Sequence, residues 1–244
     1  MGSSQMRSET NDPVRRLRPR IIDSDWLVMR GMARAIAAIA SKSAGKGEVV
    51  IDFGCGSMPY RPLFLEAGGR YLGADFDGAP DIRIDTAGRM GVADGSADTV
   101  VSFQVLEHVR DLDRYFAEIR RVLKPAGRLV LSTHGVWLYH PHPEDHRRWT
   151  REGLVAELEG HGFKVLACAP IVGPLAWTTI LRLTGFCYVL KQIPVVGGAL
   201  SCFLSAVMNA RAAIEDRLTP SSIIADNACV YVTVSEVVPD GCDV

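Results

Sequence analysis

Glycines set between carboxylates are the first residues here whose types and spacing could do chemistry. Val49-Val50-Ile51-Asp52-Phe53-Gly54-Cys55-Gly56-Ser57 is an apolar run that ends in an acid and passes at once into a glycine-spaced loop. Gly54 and Gly56 lack Cβ, so a ligand can lie against the main chain there. A second acid, Asp75, closes the next apolar run, Tyr71-Leu72-Gly73-Ala74. An acid about 20 residues beyond a glycine loop is placed to accept ribose hydroxyls. A dinucleotide loop would carry glycine at its first, third and sixth positions, and here the sixth is Pro59. Asp52 would repel a pyrophosphate and would suit a ligand with positive charge. Downstream, His108, His134 and His140 supply imidazoles that titrate near neutrality and could take a proton from a hydroxyl. The competing reading of His134 and His140 is a structural loop, with Trp137, Tyr139 and Trp149 packed over a pocket.

S-adenosylmethionine carries an ammonium and a sulfonium and no phosphate. Asp52-Phe53-Gly54-Cys55-Gly56-Ser57 resembles the first motif of the class I S-adenosylmethionine-dependent methyltransferases, with Met58 where most members have a further glycine. Asp94-Gly95-Ser96-Ala97-Asp98-Thr99-Val100-Val101-Ser102 is similar to that family's turn into the fourth strand. Gln104-Val105-Leu106-Glu107-His108-Val109 and Arg121-Val122-Leu123-Lys124-Pro125-Ala126-Gly127-Arg128-Leu129-Val130-Leu131 are similar to the segments that follow. Four motifs in order are far more specific than one glycine loop. The likeness runs from about 45 to 168, with a last strand near 228 to 236, and leaves out the N-terminal arm and residues 170 to 220.

The resemblance implies the cofactor S-adenosylmethionine and a set of residues to hold it. Gly54, Cys55 and Gly56 would face its amino-acid part, and Asp52 would balance charge or order the loop. Asp75 would take the ribose hydroxyls, with Phe76 beside the adenine. Asp85 and Thr86 would lie near the exocyclic amine, and Gln104 near the methionine part. It implies methyl transfer to a small molecule, foremost at an oxygen of a sugar, glycolipid or natural product. The segment from Ser132 to Trp149 resembles a pattern in bacterial members, some encoded with surface-glycan genes. A cyclase or decarboxylase using the same cofactor, or a scaffold without turnover, are the alternatives. A nicotinamide dehydrogenase is disfavoured by Asp52 and Pro59. Metal is not expected, because Pro141 and Pro143 extend the backbone and keep His140 and His142 from converging as ligands on one helix face would.

The elements that must position these groups follow from periodicity. The expected fold is α/β: a Rossmann-like, doubly wound, seven-stranded and mostly parallel sheet, its last strand antiparallel. Strands are expected near 48–53, 70–75, 81–85, 98–103, 128–133, 163–169 and 228–236. Asp23-Ser24-Asp25 could cap an N-terminal helix, and residues 1–22 read as a flexible arm before a single domain over 23–244. Leu112, Tyr115, Phe116, Ile119, Val122 and Leu123 form one apolar helical face that Lys124-Pro125-Ala126-Gly127 terminates. An apolar insertion over 170–218 precedes the last strand and reads as two or three buried helices. Its sharper readings are a lid on an apolar substrate, or a surface at 170–216 for a homodimer or peripheral membrane contact. With charges and Pro194 breaking the run, a transmembrane span is disfavoured.

A net charge of −1 gives no general pull towards nucleic acid, and the chain lacks an Asn-Pro-Pro-Tyr motif after its fourth strand. Six cysteines without a Cys-x-x-Cys pair read as free thiols in a reducing, cytoplasmic setting.

Overall fold

The computed structural model describes residues 13–43, 45, 47–141 and 144–239. Expectations that fall on residues 1–12, His142 and Pro143 lie outside the described residues.

Seven strands form one sheet in the order β3-β2-β1-β4-β5-β7-β6. The strands are β1 (Val49–Phe53), β2 (Arg70–Asp75), β3 (Ile82–Arg83), β4 (Ala97–Phe103), β5 (Leu123–His134), β6 (Phe163–Ile171) and β7 (Val230–Val237). β1 pairs in parallel with β2 and with β4, and β4 with β5. β7 lies antiparallel between β5 and β6. The strand order therefore reverses between β1 and β4, which opens a crevice beyond their C-terminal ends.

Eight helices flank the sheet among the described residues: α1 (Pro13–Leu17), α2 (Trp26–Ser43), α3 (Arg61–Glu66), α4 (Leu112–Val122), α5 (Arg151–Gly160), α6 (Pro174–Leu190), α7 (Gly197–Leu218) and α8 (Ser221–Asp226). A 3₁₀ turn covers Leu106–His108. One face of the sheet takes α4 and α5 through Phe116, Ile119, Leu154 and Leu158. The other takes α2, α3 and the roots of α6 and α7 through Met32, Ile36, Phe64, Trp177 and Ala212. Asp111 caps α4 by accepting from the Arg114 amide at 3.0 Å, and Thr150 caps α5 by accepting from Gly153 at 3.0 Å.

Three expectations change. The arm is not free from Pro13 onward: α1 packs against α2, Leu17 joins the core, and Arg15 pairs with Asp23 and Asp25. Asp23 and Asp25, at the start of α2, thus also tie the arm to the domain. β5 begins at Leu123 rather than at 128, because Leu123 pairs with Ala97 before residues 124–127 loop out with Ala126 at φ 60°. The insertion is helical but not buried. Its outer part packs only helix against helix, so Phe203 is 71 % and Val195 101 % exposed. Among the described residues one helix, α7, is long and apolar enough to cross a membrane by length and composition alone, a test that core helices of soluble proteins also pass.

Candidate functional site

The loop after β1 is built as the sequence implies. Gly54 has φ 80° and Gly56 φ 50°. A Cβ on Gly54 would meet Val105 Cγ2 at 2.6 Å, whereas one on Gly56 would meet nothing within 4 Å. Gly54 is thus fixed by packing, and Gly56 faces open space that a ligand can fill. The Gly56 amide donates to Asp75 Oδ2 at 2.8 Å, so the carboxylate ending β2 closes the loop ending β1. Asp75 Oδ1 accepts the Phe76 amide at 2.7 Å, and Phe76 lies half exposed at the rim. Met58 takes φ 54°, the left-handed backbone that a glycine would adopt without strain. Its side chain and Cys55 Sγ fill the space above Gly73, where a Cβ would meet them at 2.6 and 2.8 Å.

Asp52 is buried, accepts a hydrogen bond from the Tyr71 hydroxyl, and keeps Oδ1 unpartnered. Burial pushes its carboxyl up to about 7 against the Tyr71 hydrogen bond, with Asp75 adding to the rise. The Cys55 thiol rises to about 12, by burial first and then by the charge of Asp52. A buried acid with a spare oxygen beneath an open glycine cradle fits a cationic ligand and would oppose an anionic one.

Asp85 follows β3, which the Ile84 amide ties to the Asp75 carbonyl at 3.0 Å. Its Oδ1 accepts the Ala87 and Arg89 amides at 2.9 and 2.8 Å, an arrangement that shapes its own turn. Thr86 is exposed beside it. Gln104 ends β4 with φ 59°, and Ser132 on β5 holds both its amide and its side-chain Nε2. A left-handed non-glycine residue at a strand end is the kind of local strain found where a side chain must be aimed.

The three histidines come together beyond β4 and β5. His134 ends β5, with Nδ1 2.7 Å from Glu107 Oε1, while Thr133 donates to Glu107 Oε2 at 3.0 Å. Burial would raise the Glu107 carboxyl, but the imidazole of His134 close against it outweighs that and holds the acid below its usual range. The His140 ring lies 4.8 Å from that of His134 and 5.0 Å from that of His108. Burial first, then the charges of His134 and His108, hold His140 down to about 4. Asp145 accepts the His140 amide at 3.0 Å and is itself locked by Arg148. Trp137 stacks between His134 and Trp177 of α6, with centroids 5.0 and 4.9 Å away. The Trp149 amide donates to the His134 carbonyl at 3.0 Å and the His146 amide to the Glu107 carbonyl at 2.8 Å. The loop from 135 to 149 is therefore both a structural strap and the carrier of His140.

The motif likeness gives Glu107 a structural part only, bonding neighbouring backbone and shaping the pocket, and does not pair it with Thr133 or His134. Its distance of 26 residues from Thr133 leaves no periodic signal; only the β4–β5 pairing joins them. Ligand atoms of Glu107, His134 and His140 lie within 4.8 Å of one another, a donor set that a divalent cation could use. Glu107 Oε2 has Thr133 as its partner, whereas Glu107 Oε1 and His134 Nδ1, 2.7 Å apart, are not aligned as a hydrogen bond.

Residues 51–131 match a family model described as "Methyltransferase domain". A "Probable S-adenosylmethionine-dependent methyltransferase" of Mycolicibacterium smegmatis is 31 % identical over 144 residues, which is 52 % of this chain and 55 % of that one. The chain thus spans about half the length of the curated relatives it matches. Among solved structures, Burkholderia thailandensis 1,6-didemethyltoxoflavin-N1-methyltransferase aligns over 86 % of this chain and 79 % of its own, with TM-score 0.55 and 17 % identity. The [4+2]-cyclase SpnF aligns over 84 % and 81 %, with TM-score 0.54 and 17 % identity. At that identity these two establish the fold alone.

Proposed function

We propose that this chain, which belongs to the class I S-adenosylmethionine-dependent methyltransferases, moves the cofactor's methyl group to a hydroxyl of a small-molecule acceptor. The observation that carries the reading is the pairing of an open glycine cradle over a buried carboxylate with an imidazole cluster across the same crevice. S-adenosylmethionine supplies an electrophilic methyl on a sulfonium, and the protein must orient the acceptor and take its proton.

Gly54, Cys55 and Gly56 present backbone to the amino-acid part, and Asp52 lies beneath as the counter-charge. Asp75 holds the ribose hydroxyls with its remaining lone pairs, next to Phe76. Gln104, aimed by Ser132, lines the methionine end. Asp85 and Thr86 flank the adenine edge, with Asp85 acting chiefly through the turn it closes. His134 is the proton acceptor. Its Nδ1 lies 2.7 Å from Glu107 Oε1, and a proton held on that nitrogen by the carboxylate charge leaves Nε2 to accept. His140, uncharged at neutral pH, packs edge-on against it and keeps a second positive charge away from the sulfonium. His108 closes the file towards solvent.

The acceptor class is a sugar, glycolipid or natural product with an apolar part, supported by the apolar helices that reach the site through Trp177 and Trp137. These helices also offer a surface for a second copy or for lipid. Free thiols at Cys55, Cys168, Cys187, Cys202 and Cys229 support a reducing, cytoplasmic setting.

Calorimetric titration with S-adenosylmethionine, S-adenosylhomocysteine and NAD tests the core of this reading. Binding of the first two and not the third, lost in Asp75→Ala, is expected. Binding of neither would sink it. Release of S-adenosylhomocysteine on turnover separates methyl transfer from cyclase or decarboxylase chemistry.

A further inference from the structure

We propose that the hairpin of α6 and α7 docks the protein on an anionic bilayer, its apolar end entering one leaflet while basic residues at its root meet lipid phosphates. This surface is independent of the methyl-transfer reading.

The hairpin is packed inside out. Leu183 apart, the residues buried in its outer seam are small: Cys187 on α6 and Gly197, Ser201 and Ser205 on α7, with Cys187 Sγ 3.3 Å from Ser205 Oγ and Gly197 close against Leu190 and Ile193. The other large apolar side chains of this part are turned to solvent. Phe186, Tyr188, Val189, Val195, Leu200 and Phe203 are all exposed. In water the opposite arrangement would be favoured, because large apolar groups gain most from burial. Small residues at the seam with bulky apolar ones outside is how helices pair within lipid. Exposure surrounds both arms, and a second copy would cover only one side where lipid covers all.

Charge selects the kind of surface. Residues 160–214 contain no aspartate or glutamate; Arg182 follows the root of α6, and Lys191, at the turn between the helices, is long enough to carry its charge back towards a headgroup. At the root, a cavity of about 260 Å³ between α2 and α7 is lined by three cations, Arg30, Arg34 and Arg217, and one acid, Asp216. The acids nearby are already engaged. Asp216 accepts the Gly173 amide, Glu215 holds Arg211 and Thr179, and Asp23 and Asp25 hold Arg15. Basic groups beside an apolar prong are what an anionic interface attracts.

Length sets the depth. The root is fixed to the body by Trp177, Ala212 and the bonds from Asn209 Nδ2 to the Ile21 and Asp23 carbonyls. Beyond it, residues 183–190 reach about 12 Å and residues 197–208 about 18 Å along the helix axes. A hydrocarbon core is about 30 Å thick, so the hairpin enters one leaflet and does not cross.

Flotation with phosphatidylcholine vesicles, with and without phosphatidylglycerol, tests the proposal. The protein should float with the anionic vesicles and less with the neutral ones. Val195→Asp and Phe203→Asp, both at exposed positions, should each weaken partitioning by about tenfold or more. Arg34→Glu with Arg182→Glu should remove only the gain from phosphatidylglycerol. Titration with S-adenosylmethionine and thermal melting, unchanged in these variants, would show that the fold is intact. Absence of flotation, or variants that float like the parent, would overturn the proposal. So would a lipid-free dimer in light scattering that Phe203→Asp dissociates without any vesicle binding.

Discussion

Two glycines one residue apart have different reasons for being there. Gly54→Ala must place Cβ 2.6 Å from Val105 as well as bear φ 80°, so it should destabilise the fold by about 2–4 kcal/mol in urea unfolding. Gly56→Ala bears only the left-handed backbone, at about 1 kcal/mol, and should instead lose cofactor affinity because its Cβ enters the ligand's space. Equal stability losses would refute the distinction. Asp52 gives a pH signature. Its carboxyl is raised to about 7 in the fold, above its unfolded value near 3.8, so the native state holds the proton more tightly. Stability from this group is full below the unfolded value and is lost as pH rises through 7. Asp52→Asn should match the parent near pH 4 and exceed its stability at pH 8 by about 1–3 kcal/mol, read from unfolding curves at each pH. At the proposed proton acceptor, Glu107→Gln and His134→Gln should each lower turnover by about 10²–10⁴-fold while S-adenosylmethionine affinity changes little. Chelation should leave the parent unaffected. The glycines, Asp52 and Asp75 were legible in the chain because they sit beside apolar runs that end in turns. The left-handed backbone at Met58 and Gln104 was not, since neither residue type signals it.

Among the elements, legibility followed periodicity. The α4 face was readable residue by residue, and Phe116 and Ile119 are fully buried. Ile119→Ala should therefore cost about 2–5 kcal/mol in chemical unfolding, since the sheet beneath cannot close over the void. β7 was readable from alternating valines. Its antiparallel place between β5 and β6 depends on register with Arg128–His134, which came only with the family likeness. The early start of β5 was not readable, because Lys124-Pro125-Ala126-Gly127 looks like a plain helix stop, whereas Leu123 already pairs with Ala97. The strap over 135–149 escaped periodicity altogether. Backbone bonds from His146 and Trp149 and the Asp145–Arg148 pair hold it, and these have no repeat. Trp137 is its joint with the hairpin. Trp137→Ala removes both stacks and should lower turnover more than cofactor affinity, measured as separate constants, because the His134 ring loses its packing while its backbone stays paired with Val230 and the cofactor loop is untouched.

For the whole molecule, the two faces of the sheet have become unequal. One is covered by α4 and α5 in an ordinary two-layer core. The other carries α2, α3 and a hairpin whose root belongs to that core and whose end does not. Composition hid this, because an apolar run of this length reads equally as buried helix; only the positions of Cys187, Ser201 and Ser205 in the seam separate the two. The root of α6 touches the imidazole cluster through Trp177 and Trp137, so a docked hairpin would set the site close to the lipid surface. An acceptor anchored in that surface then meets the site at a high local concentration, and a freely diffusing one gains nothing. Phe203→Asp should therefore lower kcat/KM towards a vesicle-borne acceptor in parallel with its loss of flotation, and leave kcat/KM for a short-chain acceptor in solution unchanged. Equal losses on both acceptors would mean that the hairpin supports the site directly. No loss on either would detach it from the reaction.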